Sequence, residues 1–222
     1  MQGYNAEQIG LVLAWTGLPQ LILIPLIPRL MKQMDLRYLG AAGIAIFAVS
    51  CFMNINMSLD YSGDQFWLPN IIRAVGQALI ITPLTAIAMF GIAPKDAGNA
   101  SGLFNMLRNL GGAVGTATLA TIITKREQFH SNIIGQSVTL NRDEVRQRIN
   151  EMTGYFMSHG VSDTATAQHQ AIVALGRTVK RQALVLGFSD TFAVIGVMLA
   201  IAAVSLLFAR KAQIGAGAAG AH

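Results

Sequence analysis

The sequence predicts an all-α membrane protein built as a bundle of five transmembrane helices. Of its 222 residues 53% are apolar and 12% are charged, with a mean hydropathy of +0.48. Soluble domains carry about 25% charged residues. A hydrocarbon core about 30 Å thick needs about 20 residues of helix, and five apolar stretches supply that length. They span residues 8–30, 37–57, 67–92, 99–123 and 184–208.

The first helix has a clear start and a series of expected bends. Asn5, followed three residues later by Gln8, predicts a capping box, with Glu7 in the first turn. Prolines inside a membrane helix produce kinks, because neighbouring helices can satisfy the freed carbonyls. Kinks are therefore expected at Pro19, Pro25 and Pro28.

The next three helices follow in order along the chain. The second is predicted from about Arg37 to Asn54, and the third ends before the turn 93–96. The fourth begins near Gly98 and is expected to end at Lys125 and Arg126. Residues 1–123 therefore form a four-helix membrane domain.

Segment 124–180 is predicted to be an extracytoplasmic helical loop. An apolar spacing typical of a helix follows Asn141, at Val145, Ile149, Met152 and Phe156. Ser162 and Asp163 resemble a second N-cap, and the run beyond is expected to continue into the last membrane helix, 181–209. Residues 210–222 are expected to be a disordered cytoplasmic tail. His130, His159 and His169 lack metal-ligand spacing and are interpreted as ordinary surface residues.

The charges of the short loops predict the orientation. Residues 29–37 hold three Lys or Arg, the turn 93–97 holds one and the C-terminus holds two, whereas loop 55–66 has none. The positive-inside rule then places the N-terminus outside and the C-terminus in the cytoplasm. Lys125 and Arg126 count against this orientation, because they flank a helix end that it places outside.

Ionisable residues within membrane helices are functional candidates by default. In the third helix Asn70, Arg73 and Gln77 recur on one face, with Thr85 about two turns further along. Such a polar stripe must face protein or water, and a lumen between helices is the simplest place for it. The alternative for Arg73 is that it snorkels to the outer interface.

The fourth helix carries a second stripe, which has polar side chains at one end and small side chains at the other. Its members are Asn105, Arg108, Asn109, Gly112 and Thr116. Arg108 lies near the middle of the span, so either gating or a buried structural bond is expected of it. Gly111 and Gly115 form a small-xxx-small pair that permits close helix packing, with dimerisation as the lesser alternative. Asp190, in the last helix, is either a proton-coupling residue or an interfacial cap.

Several classes of function are disfavoured. No Ser/His/Asp or Cys/His nucleophilic set lies in one plausible pocket, so the sequence does not predict an enzyme. It predicts no metal site and no cofactor either. Basic residues gather in loops without interleaved aromatics, which argues against nucleic-acid binding. The single cysteine, Cys51, lies in the second apolar stretch and is interpreted as a small core or lipid-facing residue.

Three segments resemble the C-terminal part of a major facilitator superfamily transporter, in the fourteen-helix drug:proton antiporter branch of EmrB/QacA type. They are ASGLFNMLRNLGGAVGTAT at 100–118, IIRAVGQALIITPLTAIA at 71–88, and the loop from Arg29 through Asp35 to Arg37. The resemblance covers nearly the whole chain. Its five helices would match the last five of that family, giving a partial major facilitator fold in a bacterial inner membrane.

The resemblance implies roles for these positions. Arg29, Asp35 and Arg37 would belong to a cytoplasmic gating motif, although Pro28 stands where that motif often has glycine. The third helix would line the substrate cavity, and the first and fourth would contact the other half of the transporter. That N-terminal half would be missing from this chain, which would then be a fragment.

The predicted function is proton-coupled efflux of small amphipathic compounds by alternating access, with the lipid bilayer, protons and the missing half as partners. One alternative is an exporter or importer of a specific metabolite or siderophore on the same fold. Another is a truncated membrane protein that assembles with a partner and transports nothing.

Overall fold

The computed structural model describes residues 5–59, 61, 63–139 and 141–208, and every regular element in these ranges is helical. The seven α-helices of the described ranges are α1 (Ala6–Leu23), α2 (Ile27–Gln33), α3 (Leu36–Phe52), α4 (Gly63–Ala88), α5 (Ala97–Ser137), α6 (Asp143–Ser158) and α7 (Thr164–Leu207). The all-α prediction is confirmed for this part of the chain. The predicted tail, 210–222, lies outside the described residues.

The start of α1 follows the prediction. The Asn5 side chain accepts a hydrogen bond from the Gln8 amide, and the Gln8 side chain accepts one from the Asn5 amide. Pro19 lies within α1, and Pro25 lies in a short 3₁₀ turn, Ile24–Leu26, that separates α1 from α2. The regular helix is thus interrupted near Pro25 and Pro28, where proline removes backbone donors.

Two compact units divide the chain. Of the described residues, one unit comprises 5–56, 61, 63–118 and 191–208, and the other comprises 57–59, 119–139 and 141–190. In the first unit α4 packs against both α1 and α3. The buried apolar residues of α3 and α4 form its core: Leu36, Leu39, Ile44, Ala48, Cys51, Ala74 and Ala78.

Two glycines bring α3 and α4 into backbone contact. A Cβ built on Gly76 would lie 2.7 Å from the Phe47 nitrogen and 2.8 Å from the Gly43 oxygen. A Cβ on Gly43 would lie 2.8 Å from the Leu79 Cβ. Gly40 lies near Pro83, Gly43 near Leu79 and Phe47 near Gly76. Residue numbers therefore fall along α4 as they rise along α3, which means that the two helices run antiparallel. Small residues at such crossings allow the close helix approach typical of membrane proteins.

Helix α5 corrects one prediction. The fourth helix was expected to end at Lys125 and Arg126, but α5 continues without a break to Ser137. The residues at this point are good helix formers, Lys-Arg-Glu-Gln, so a change from apolar to charged composition does not end the helix.

The second unit contains the rest of α5, α6 and the first half of α7. Its buried residues include Ile149 of α6 and Ala167, Ala171 and Ala183 of α7. The predicted cap at Asp163 is confirmed, because its carboxylate accepts hydrogen bonds from the Thr166 amide at 2.8 Å and the Thr166 hydroxyl at 2.6 Å. Helix α7 then runs for 44 residues, so the predicted continuation into the last membrane helix is also confirmed.

Three segments among the described residues are long and apolar enough to cross a membrane: Ala6–Gln33, Gln65–Ala88 and Thr164–Leu207. Helix α3 is apolar but shorter, with 17 residues. Helix α5 is long, but glycines, asparagines and Arg108 dilute its apolar character. Large apolar side chains such as Leu21, Ile22 and Met198 are more than 60% exposed, as expected of surfaces that face lipid. The chain is a multi-pass membrane protein.

Candidate functional site

A ladder of polar contacts joins α1 to α4 inside the first unit. Half-buried and buried side chains of both apolar helices take part in it. Three hydrogen bonds make up the ladder: Asn70 Nδ2 to the Val12 carbonyl at 3.0 Å, Arg73 Nη2 to Thr16 Oγ1 at 3.0 Å, and Gln20 Nε2 to Gln77 Oε1 at 2.9 Å.

The spacing of the ladder follows from helix geometry. Its members on α1 recur every four residues, and those on α4 recur after three and four residues, so each set lies on one helix face. Residue numbers rise together on the two helices, from Val12 with Asn70 to Gln20 with Gln77. Helices α1 and α4 therefore run parallel, while α3 runs in the opposite direction to α4.

A cavity of about 260 Å³ adjoins one end of the ladder. Its lining combines five apolar side chains with two asparagines and one arginine: Ile9, Val12, Leu13, Phe66, Phe192, Asn54, Asn70 and Arg73. None of these lining residues carries a carboxylate. The cavity is thus apolar with a single positive charge.

Two asparagines of the cavity are almost completely buried. Asn54 and Asn70 are each 7% exposed. The Asn54 amide donates to the Ser50 carbonyl at 2.9 Å, but its Oδ1 has no hydrogen-bond donor among the described residues. Burying a polar atom without a partner is unfavourable, so this oxygen marks a polar spot in an otherwise apolar environment.

The structure brings three of the four predicted cavity residues together. Asn70, Arg73 and Gln77 share the ladder, whereas the Thr85 hydroxyl donates to the Ile81 carbonyl of its own helix at 2.8 Å and is exposed. The sequence analysis did not identify their partners Thr16 and Gln20. The signal was present, since both are polar residues spaced four apart in an apolar stretch.

The predicted gating loop is only partly assembled. Asp35 caps α3 by accepting a hydrogen bond from the Arg37 amide at 3.1 Å, and it forms an ion pair with the Arg37 side chain at 3.2 Å. Arg29 is exposed and makes no hydrogen bond or ion pair with the described residues. The aspartate therefore organises the start of α3 through Arg37 and not through Arg29.

The polar stripe of α5 is exposed in the described part of the chain. Asn105, Arg108 and Asn109 form no side-chain hydrogen bond with any described residue. A Cβ built on Gly111, Gly112 or Gly115 would have no described neighbour within 4 Å beyond its own helix. The Thr116 hydroxyl donates to the Gly112 and Ala113 carbonyls at 3.0 Å.

Asp190 is the centre of an ionic cluster in the second unit. Its Oδ2 accepts a hydrogen bond from Arg126 Nε at 2.7 Å and lies 2.6 Å from His130 Nε2. The interpretation of His130 as an ordinary surface residue is wrong, because its side chain is only 18% exposed and contacts this carboxylate. Arg126 and His130 are four residues apart on α5, so one helix face presents both to α7.

Gly187 allows α5 and α7 to approach each other closely beside the ionic cluster. A Cβ built on Gly187 would lie 3.2 Å from the Glu127 nitrogen and 3.3 Å from the Ile123 oxygen. Gly187 lies one turn before Asp190, so the close approach and the ionic cluster share one face of α7. Within the described residues no group of three potential metal ligands occurs.

The chain is similar to several curated export and resistance proteins. It is 28% identical to the multidrug export protein EmrB of Escherichia coli K12, over 98% of this chain and 41% of that protein. It is 26% identical to the colistin resistance protein EmrB of Acinetobacter baumannii, over 92% of this chain and 39% of that protein. The fatty acid resistance protein FarB of Neisseria gonorrhoeae is 26% identical over 98% of this chain and 41% of its own length.

No protein-family model matches the chain. The chain spans about two-fifths of the length of the curated relatives that it matches. The resemblance noted in the sequence, to transporters of EmrB type, is confirmed by these similarities over nearly its whole length.

Proposed function

We propose that the chain is the C-terminal part of a proton-coupled exporter of amphipathic compounds in a bacterial inner membrane. The names of its relatives, a multidrug export protein and two resistance proteins, support this function. The chain covers about two-fifths of their length, so transport would require the remainder of a longer protein. Alternating access uses two helical bundles that move about a central site, and this chain would supply one of them.

The observation that carries the proposal is the polar ladder between α1 and α4. Polar side chains within membrane helices are costly, so those that occur usually serve binding, packing or transport. Here they adjoin a cavity with apolar walls, which is the composition that an amphipathic compound requires. Asn70 and Arg73 line that cavity. They are the proposed substrate-binding residues, together with Gln77 and Thr85 further along the same helix.

We infer that α3 and the first part of α5 are the remaining two spans of a five-span partial major facilitator fold. Because α1 and α4 are parallel and α3 is antiparallel to α4, the chain reverses direction at α3 and again at α4, as successive membrane-crossing helices must. The distribution of Lys and Arg in the short loops supports an external N-terminus and a cytoplasmic C-terminus for this chain.

The face of α5 is the proposed contact with the rest of the transporter. Asn105, Arg108 and Asn109 are exposed, and the nearby glycines have no described neighbours. The proposed interface and gating residues are Asn105, Arg108, Asn109, Gly111, Gly112 and Gly115, with Arg29, Asp35 and Arg37 at the cytoplasmic end. Asp190 is proposed to take part in proton coupling.

An efflux assay in the complete transporter tests this function. Arg108→Ala should reduce export of amphipathic drugs while membrane expression is retained, because Arg108 has no partner within the described part of this chain and would find one across the interface. The matched control is Arg177→Ala, since Arg177 is an exposed arginine in the first half of α7. Wild-type efflux by the Arg108 variant would contradict the assigned role.

A further inference from the structure

The charge of the cavity beside the ladder is unbalanced. Arg73 is the single charged residue among its eight lining residues. Its described partner is the neutral hydroxyl of Thr16, and it forms no ion pair with any described residue. A guanidinium has five N–H donors, and only one contact is made here.

An arginine in this position would ordinarily be expected to pair with a carboxylate. Charged side chains within membrane spans pair with one another or with carbonyls, because an isolated charge in a medium of low dielectric constant is unfavourable. Arg73 lies about two helical turns beyond Gln65, where the candidate span begins. Its hydrogen bond to Thr16 directs it towards α1 instead of along α4 to the membrane surface.

We propose that this cavity binds the anionic head group of a small amphipathic ligand, with Arg73 as the counter-ion. The inference rests on the proposed role of Asn70 and Arg73 in substrate binding, and it adds the charge of the ligand. A carboxylate would accept hydrogen bonds from the remaining N–H groups of the guanidinium, whose planar fork fits that geometry. A cationic head group would be repelled by the same residue.

The rest of the lining fits the apolar part of such a ligand. Ile9, Leu13, Phe66 and Phe192 supply apolar walls, and the volume of about 260 Å³ suits a short chain rather than a large drug. The Asn54 and Asn70 amides each donate to a backbone carbonyl, which holds them in place beside the charge. Arg73 therefore decides which head group is preferred.

The chain contains its own reporter for this site. The sequence has two tryptophans, Trp15 and Trp67, and their ring centroids are 6.5 Å apart across α1 and α4. Trp15 and Trp67 lie on the two helices that supply most of the cavity lining, close in sequence to the lining residues Leu13 and Phe66. Bromine quenches tryptophan fluorescence at short range, so a brominated ligand in the cavity would be detected directly.

The test titrates the purified chain in detergent micelles with three matched probes: bromohexanoate, bromohexanol and bromohexylammonium. Saturable quenching by the anionic probe, with weaker quenching by the neutral and cationic probes, is the expected result. Equal quenching by all three probes would overturn the preference for anions, although it would still show that the cavity binds amphipathic compounds. No saturable quenching by any probe would overturn binding in this cavity.

Variants then assign the preference to one side chain. Arg73→Gln should raise the Kd for bromohexanoate about tenfold or more, because a hydrogen bond to a charged group is lost. Arg73→Lys retains the charge and should lose less affinity, while Arg177→Gln should match the wild type. An unchanged Kd in Arg73→Gln would overturn the proposal. The efflux assay on Arg108 has a separate readout, so failure here and failure of the proposed function are distinguishable.

Discussion

Gln20 of α1 and Gln77 of α4 share a hydrogen bond of 2.9 Å between their side-chain amides, although 57 residues separate them in the chain. Both side chains are half-buried within apolar helices. Because neither has another described side-chain partner, the pair couples the two helices at the end of the ladder furthest from the cavity.

A double-mutant cycle measures that coupling. Gln20→Leu and Gln77→Leu should each destabilise the chain by about 1–3 kcal/mol, because each leaves the other amide unpaired in an apolar environment. The double variant should be less destabilised than the sum of the two. The expected coupling is about 0.6–1.7 kcal/mol, as found for interhelical hydrogen bonds in membranes. Reversible unfolding in detergent would give these free energies, and purely additive effects would contradict the pairing.

The α3–α4 crossing predicts a strong and local effect of one methyl group. Gly76→Ala places a Cβ 2.7 Å from the Phe47 nitrogen and 2.8 Å from the Gly43 oxygen, so the helices must separate. We expect a loss of about 1–3 kcal/mol in the free energy of unfolding, the usual range for overpacking.

Gly102→Ala is the matched control for that change. Gly102 also lies within a helix, but a Cβ there meets no described atom within 4 Å. Because alanine is the better helix former by up to about 1 kcal/mol, this variant should be neutral or slightly stabilising. Equal losses in both variants would show that helix propensity, and not the crossing, governs the result.

The cap at Asp163 predicts a dependence on pH. The hydrogen bond from the Thr166 hydroxyl, aided by backbone amides, holds the pKa of the Asp163 carboxyl below its usual value. A group whose pKa is lower in the folded state stabilises it above the unfolded pKa, which is about 4 for aspartate. This contribution should disappear as the pH falls through the lowered folded pKa.

Hydrogen exchange at the first turn of α7 provides the measurement. The Thr166 amide should lose protection in the wild type as the pH falls below about 4, after correction for the intrinsic exchange rate. Asp163→Asn keeps a good N-cap without a titrating group, so its protection should remain flat over the same range. A parallel loss of protection in that variant would mean that another group titrates.

The ionic cluster predicts unequal effects of two of its members, Asp190 and His130. Asp190→Ala removes the acceptor from both Arg126 and His130, whereas His130→Ala leaves the ion pair of Arg126 and Asp190 intact. The cluster is partly exposed, so the loss for Asp190→Ala should be about 1 kcal/mol and that for His130→Ala smaller. Unfolding of the two variants side by side tests this order, and a larger effect of His130→Ala would contradict it.

Local features of the chain were predictable, whereas partners distant in sequence were not. The caps at Asn5 and Asp163 depend on residues three positions away, so a single sequence contains all that they require. The stripe of Asn70, Arg73 and Gln77 follows from helix periodicity alone. Its partners on α1 depend on how two helices dock, and periodicity does not determine that.

The two errors have different origins. His130 looks like a surface residue until α7 brings Asp190 to within 2.6 Å of it. The end of the fourth helix was placed where apolar residues give way to charged ones, but that change indicates a change of surroundings and not of backbone conformation. Helix α5 continues past Arg126 because Lys, Arg, Glu and Gln all favour a helix.

The backbone contact at Gly43 and Gly76 has a consequence for biogenesis. Lipid offers no hydrophobic driving force between helices, so association depends on dispersion and on weak Cα–H···O contacts between closely packed backbones. The α3–α4 pair has this close backbone packing at Gly43 and Gly76, and only the residues from Met53 to Ser62 separate its two helices in the chain. We therefore expect this antiparallel pair to form as soon as α4 leaves the ribosome. The pair then gives α1 a surface on which to dock.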